Sequence, residues 1–83
     1  MRLDKFLKVS RVIKRRTLAN EVCDQGHVSV NGRVAKAGLE IKPGDILEVR
    51  FGHRMLKLEV VDVRDNVPAK LAAELYKVLE ETT

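Results

Sequence analysis

Three consecutive cations, Lys14, Arg15 and Arg16, stand in the stretch RVIKRRTLANEV where the apolar spacing of a helix begins. Arg2, Lys5, Lys8 and Arg11 precede them, and four of these seven residues are arginine, whose planar fork of donors suits bidentate contacts with phosphate. A helix start exposes free amide N–H groups and carries a partial positive charge. First-turn cations are therefore disfavoured there, and a Ser, Thr, Asp or Asn cap is expected. Arg15 stands at the cap position instead. Cations beside free amides make a poor cap but a strong anion site, and a bound phosphate relieves the penalty. Replacing Arg15 and Arg16 by alanine is accordingly expected to leave stability equal or slightly higher. Lysine-rich faces also serve solubility alone. The arginine content and the placement at a helix start favour a polyanion partner, of which nucleic acid is the obvious case.

Other chemistries find no footing. His27 and His53 are isolated, with no Asp, Glu or Cys at ligand spacing, and Cys23 is the only cysteine, so neither a zinc cluster nor an internal disulfide is expected. Cys23 falls on an apolar helix face without basic neighbours and reads as an inert core thiol. No nucleophile elbow, glycine-rich phosphate loop or zinc-protease motif occurs, and the five glycines fall at turns and helix ends. The expectation is a protein that is not an enzyme and needs no metal or cofactor. Phe6, Phe51 and Tyr76 are the only aromatics, too few for base-stacking platforms. RNA read by the shape of a folded helix or junction fits better.

The elements that must hold these cations follow from periodicity. Leu3, Phe6, Leu7 and Ser10 set the packed face of a first helix ending near Arg11, with Lys5 and Lys8 pointing away. Leu18, Ala19, Val22 and Cys23 form the stripe of a second helix that stops at Gly26. The cations thus sit at the joint of a helical hairpin. From His27 the period becomes two, and Asn31-Gly32 marks a hairpin turn into a strand over Arg33–Lys36. Pro43-Gly44-Asp45 turns into a strand over Ile46–Phe51, followed by another over Met55–Val63. Pro68 and the spacing of Leu71, Ala72, Leu75, Val78 and Leu79 predict a C-terminal helix over about 67–81, with Lys70, Glu74, Lys77, Glu80 and Glu81 outside.

The chain of 83 residues is 45% hydrophobic and 34% charged, which suits one small domain over 1–83. Its net charge of +4 is uneven: residues 1–42 hold ten bases against four acids, and residues 43–83 hold six against eight. No window approaches the roughly 20 apolar residues of a membrane span, and the N-terminus has no signal-peptide core, so a soluble, cytoplasmic protein is expected.

The segments RLDKFLK, KRRTLANEV, GHVSVNG and KPGD resemble the RNA-binding domain named after small-subunit ribosomal protein S-four, over Arg2 to about Phe51. Over its full length the chain resembles the RqcP family of bacterial ribosome-associated quality control, and less closely a fifteen-kilodalton heat-shock protein that recycles blocked large subunits. That relative has a long basic tail, whereas this chain stops at Thr83, which favours RqcP. The resemblance implies an α+β domain, with the two-helix hairpin packed on a small antiparallel sheet and a C-terminal helix closing the core. It also implies a non-catalytic, monomeric factor that binds large-subunit rRNA and tRNA on obstructed subunits carrying peptidyl-tRNA. Such a factor works beside an RqcH-type protein while alanine tails are added. Arg2 and Arg16 resemble the family's RNA-contacting arginines, flanked by Lys5, Lys8, Arg11, Lys14 and Arg15; many such domains carry Ser where Arg15 stands. Alternatives are a recycling factor that acts without tail synthesis, a stand-alone module related to those fused to pseudouridine synthases, and a protein-docking module using the final helix.

Overall fold

A computed structural model describes residues 1–82. Helix α1 (Leu3–Val9) and helix α2 (Arg16–Asp24) form the expected hairpin. Strands β1 (Val28–Val30), β2 (Arg33–Val34), β3 (Ile46–Phe51) and β4 (Arg54–Val60) follow. A 3-10 helix (Ala69–Leu75) then leads into strand β5 (Tyr76–Thr82). The sheet is antiparallel throughout, in the order β2-β1-β3-β4-β5.

Local chemistry explains most boundaries. The first amides of α1 find acceptors in a later loop, Leu3 N–H on the Leu39 carbonyl at 2.9 Å and Asp4 N–H on the Ala37 carbonyl at 3.1 Å. This fixes the helix start against the strap that follows β2. Helix α2 ends at Gly26, whose φ of 84° is the left-handed conformation that glycine adopts without penalty. His27 N–H then reaches back to the Val22 carbonyl at 3.1 Å, closing the helix end. Asn31 and Gly32 both have positive φ, at 52° and 85°, which a two-residue hairpin turn with the right twist requires. The Asn31 side chain ties this turn to the next, accepting from Ile46 N–H at 2.9 Å and donating to buried Asp45 at 3.1 Å.

One apolar cluster joins the layers: Leu3, Phe6 and Leu7 of α1, Ala19 and Cys23 of α2, and Val28, Leu47, Val49, Leu58 and Val60 of the sheet. Leu18, expected on the packed stripe of α2, is 46% exposed, and that helix buries only Ala19 and Cys23 fully. Strands β2 and β4 are shorter than expected, ending at Val34 and Val60.

Of the C-terminal helix expected over 67–81, only the 3-10 helix over Ala69–Leu75 is formed. Ala72 and Leu75 are buried by the 3-10 helix, but from Tyr76 the chain is extended and pairs with β4. The segment instead extends the sheet, its backbone groups pairing with the outer side of β4, and β5 becomes the edge strand. Of the charges taken for a solvated helix face, Lys70 and Glu74 are exposed on the 3-10 helix, and the other three face β4 across the strand pair. Lys77 lies opposite Glu59 and Glu80 opposite Lys57, while Arg54 donates to Glu81 at 2.6 Å. The register slips at Lys57/Leu58, leaving Leu79 as the extra residue of a bulge.

Hydrogen exchange distinguishes the two conformations. In an edge strand only amides facing β4 are held, so protection over 76–82 should alternate and break at Leu79. An unbroken run of protected amides would indicate the helix instead.

Candidate nucleic-acid interface

Asp4 lies in the first turn of α1 and is 2% exposed. Its carboxylate accepts hydrogen bonds from Arg2 Nε at 3.2 Å and Nη2 at 3.4 Å, Asn20 Nδ2 at 3.3 Å and Lys5 N–H at 2.8 Å. Arg16 Nη2 stands 3.5 Å away. Residues from α1, α2 and the segment before α1 thus meet on one buried anion. Burial raises the Asp4 pKa, but the bonds from Arg2 and Asn20, the charge of Arg16 and the Lys5 amide outweigh it. The net effect holds the group below its usual 3.8.

This arrangement changes the meaning of the cations at the helix start. Arg16 is a counter-ion to Asp4, so its position at the head of α2 is compensated. The side chains of Arg2 and Arg16 remain about half exposed, at 51% and 49%, while the carboxylate holds part of each guanidinium. Among the described residues Arg15 has no such partner. It occupies the cap position with extended backbone and gives no side-chain hydrogen bond to the helix. The expectation of unchanged stability on removing these arginines therefore narrows to Arg15 alone.

Lys5, Lys8, Arg11 and Arg16 line one cleft of about 230 Å³, closed on its far side by Asp65, Asn66 and Val67. Arg11 is held with φ at 66°, the left-handed conformation usually given to glycine at a helix end. Its N–H bonds the Lys8 carbonyl and Ile13 N–H bonds the Leu7 carbonyl, both at 3.0 Å, so the chain turns sharply out of α1. Lys14 and Arg15 are exposed on the joint, outside the cleft lining. Among the described residues, Lys8, Arg11, Lys14 and Arg15 form no ion pair. The seven cations thus divide: Arg2 sits on the Asp4 clamp, Arg16 bridges clamp and cleft, Lys5, Lys8 and Arg11 line the cleft, and Lys14 and Arg15 stand free on the joint.

Sequence reasoning missed Asp4, Asn20, Asp65 and Asn66. Asp4 left a faint signal, since an acid next to Leu3 and three residues before Leu7 falls beside the packed helix face. Asp65 left none. Cys23 is fully buried, and its thiol is pushed up to about 11 by burial, with the charges of Asp4 and Asp24 adding to the shift. It stays protonated and unreactive near neutrality. His27 and His53 are exposed, and among the described residues no group of three potential metal ligands forms. Phe6 is fully buried and Phe51 and Tyr76 are partly so, which leaves no aromatic platform on the surface.

A cation-bearing helical hairpin joined to a small antiparallel sheet defines the class, and the S4 domain model matches residues 1–47. An RQC P-site tRNA stabilizing factor of Halalkalibacterium halodurans is 57% identical over 81 residues, covering 98% of this chain and 92% of that protein. The protein of the same name from Bacillus subtilis is 56% identical, covering 98% and 94%. Among solved structures, the trimeric heat shock protein 15 of Vibrio cholerae superposes with a TM-score of 0.88 at 32% identity, covering 94% of this chain and 80% of that one. The chain belongs to the family of RQC P-site tRNA stabilizing factors, built on an S4 domain.

Two stability outcomes follow from this geometry. The folded-state pKa of Asp4 is depressed, so its ionised form stabilises the fold above the unfolded value and that contribution is lost as pH falls through the folded one. Asp4→Asn should cost about 2–3 kcal/mol near neutrality, and the gap to the wild type should shrink on acidification below the usual carboxylate range. Urea midpoints across that range measure it; a constant gap would contradict the clamp. Arg15→Ser should instead raise stability by about 0.5–1.5 kcal/mol, by supplying a cap and removing a cation from the helix start. A lower urea midpoint for this variant would count against the uncompensated cap.

Proposed function

We propose that this chain is a non-catalytic, cytoplasmic RNA-binding factor of ribosome-associated quality control. In this reading it acts as a monomer and binds rRNA and tRNA on obstructed large ribosomal subunits carrying peptidyl-tRNA. It supports alanine-tail addition there beside an RqcH-type factor. The observation that carries the reading is the pair of half-exposed side chains, Arg2 and Arg16, fixed on buried Asp4 next to a cleft lined by Lys5, Lys8 and Arg11. The names of the relatives, which match almost the whole chain, support the tRNA and quality-control parts.

Physical chemistry supports a backbone reader. With no exposed aromatics and one cationic face, the domain has little means of reading base edges, and phosphate contacts position without specifying sequence. Discrimination then rests on two RNA surfaces meeting at one place. An rRNA helix would meet Arg2 and Arg16, and tRNA would meet the neighbouring basic face that carries Lys5, Lys8, Arg11, Lys14 and Arg15. Engaging both raises the effective concentration of the second contact and multiplies affinity by about 10² or more. An intact ribosome would occlude inter-subunit rRNA.

Gradient sedimentation of tagged protein with intact ribosomes, empty large subunits and large subunits bearing peptidyl-tRNA tests this directly. Co-migration should be strongest with the last and should weaken steeply with salt, the logarithmic slope growing by about 0.7–0.9 per phosphate contacted. Equal association with the last two samples would remove the two-surface idea. Absence from all three would remove the ribosomal reading.

A further inference from the structure

Asp65 enters the basic cleft from the other end of the chain. Its carboxylate accepts a hydrogen bond from Lys5 Nζ at 2.9 Å, although its own side chain is 89% exposed and nothing else holds it. Three further cations, Lys8, Arg11 and Arg16, line the same cleft without bonding to it. Asn66 adds an amide donor, and buried Val67 anchors the segment at the cleft wall. We infer that this cleft is a phosphate site, and that the Asp65 carboxylate occupies it in the free protein as an internal stand-in for a phosphate of the RNA backbone. The inference rests on the RNA-binding reading and adds to it both a subsite and a competitor.

Several features of the site agree. The volume of about 230 Å³ holds several groups of water size, each about 30 Å³, so a phosphate fits with part of its hydration. Arg16 is shared with Asp4 and Lys5 with Asp65, but Lys8 and Arg11 have no carboxylate partner among the described residues, which leaves an excess of positive charge in the cleft. Helix α2, nine residues long and without a side-chain cap, leaves its first amides unused by capping beside Arg16. The hydrogen bond and charge of Lys5 hold the Asp65 carboxyl below its usual range, so it is ionised at neutral pH and repels an incoming phosphate. Exposed ion pairs contribute little to stability, so Asp65 is displaced easily when several phosphates arrive together.

The test compares wild type, Asp65→Asn and Glu81→Gln. Glu81 pairs with Arg54 and neither lines the cleft, so its variant makes the same change in net charge outside it. Binding to labelled tRNA at low salt should tighten about three- to tenfold for Asp65→Asn and less than twofold for Glu81→Gln, because repulsion between like charges falls with distance and screening. Inorganic phosphate, followed by amide shifts, should perturb Arg11 and Arg16 at lower concentration in Asp65→Asn than in wild type. Equal tightening by both variants would reduce the effect to net charge and overturn the inference. So would weaker binding by Asp65→Asn, which would make Asp65 a support for Lys5. If tRNA binding is absent but phosphate shifts the cleft amides as expected, the phosphate site stands and the RNA reading falls. If tRNA binds while phosphate leaves those amides unmoved, the subsite is wrong and the RNA reading stands.

Discussion

The buried carboxylate of Asp4 is the interaction on which the geometry of the hairpin depends. Helices of seven and nine residues are too short to hold themselves in water, so their relative placement must come from tertiary contacts. Apolar packing of Ala19 and Cys23 against Leu3, Phe6 and Leu7 brings them together without specifying direction. Asp4 supplies the direction, because its oxygens accept donors from Arg2, Asn20 and the Lys5 amide while Arg16 approaches from the head of α2. A carboxylate that is nearly inaccessible to water is sustained only by such a set. The consequence for binding is pre-organisation. Arginine loses about 2 kcal/mol of rotamer entropy when fixed, and here part of that loss precedes any encounter with an anion.

The connection between the helices shows the opposite tendency. Arg11 adopts a left-handed backbone where glycine is usual, and Arg15 occupies a cap position without capping. Each forgoes stability of the order of 1 kcal/mol. Ile13, buried at 2% exposure, pins the connection between them so that the strained turn holds its shape. Strain confined to one short segment of an otherwise regular fold marks a place shaped by something other than folding. The cations that share that segment and its flanks agree with the proposed anion contact.

Much of this was legible in the sequence. The hairpin with Arg15 at the cap, the Asn31-Gly32 turn and strand β3 follow from local rules, and each is present. The exposed cations were legible too, since charge seldom hides. The counter-ions were not, because Asp65 meets Lys5 across 60 positions and the burial of Asp4 depends on where α2 docks. The end of the chain was misread for a related reason. Leu71, Ala72, Leu75, Val78 and Leu79 satisfy a helical period as well as any helix does, while the open side of β4 is available for pairing only once the sheet exists. Opposite charges at Lys77 and Glu80 read equally well as a helix surface or as strand pairs, and tertiary pairing decided between them.

The placement of β5 also explains how the acidic half of the chain reaches the basic half. Val61 and Asp62 N–H groups both bond the Leu75 carbonyl, at 2.8 and 3.2 Å, which folds the intervening segment into a closed excursion with Val67 buried. A free C-terminal helix would leave that excursion unanchored. Strand β5 instead fixes it from Tyr76 onward, and Asp65 projects at its tip toward Lys5. The charge asymmetry along the sequence thus becomes a local contest in space. An isolated anion must displace a carboxylate for the use of few contacts. In the proposed reading a polyanion would engage the cleft and the Asp4-held arginines together, releasing several counterions at once. On that proposal a carboxylate in the cleft would weaken the binding of single anions proportionately more than that of a nucleic-acid backbone, and a domain without base-reading groups would gain selectivity for its class of ligand.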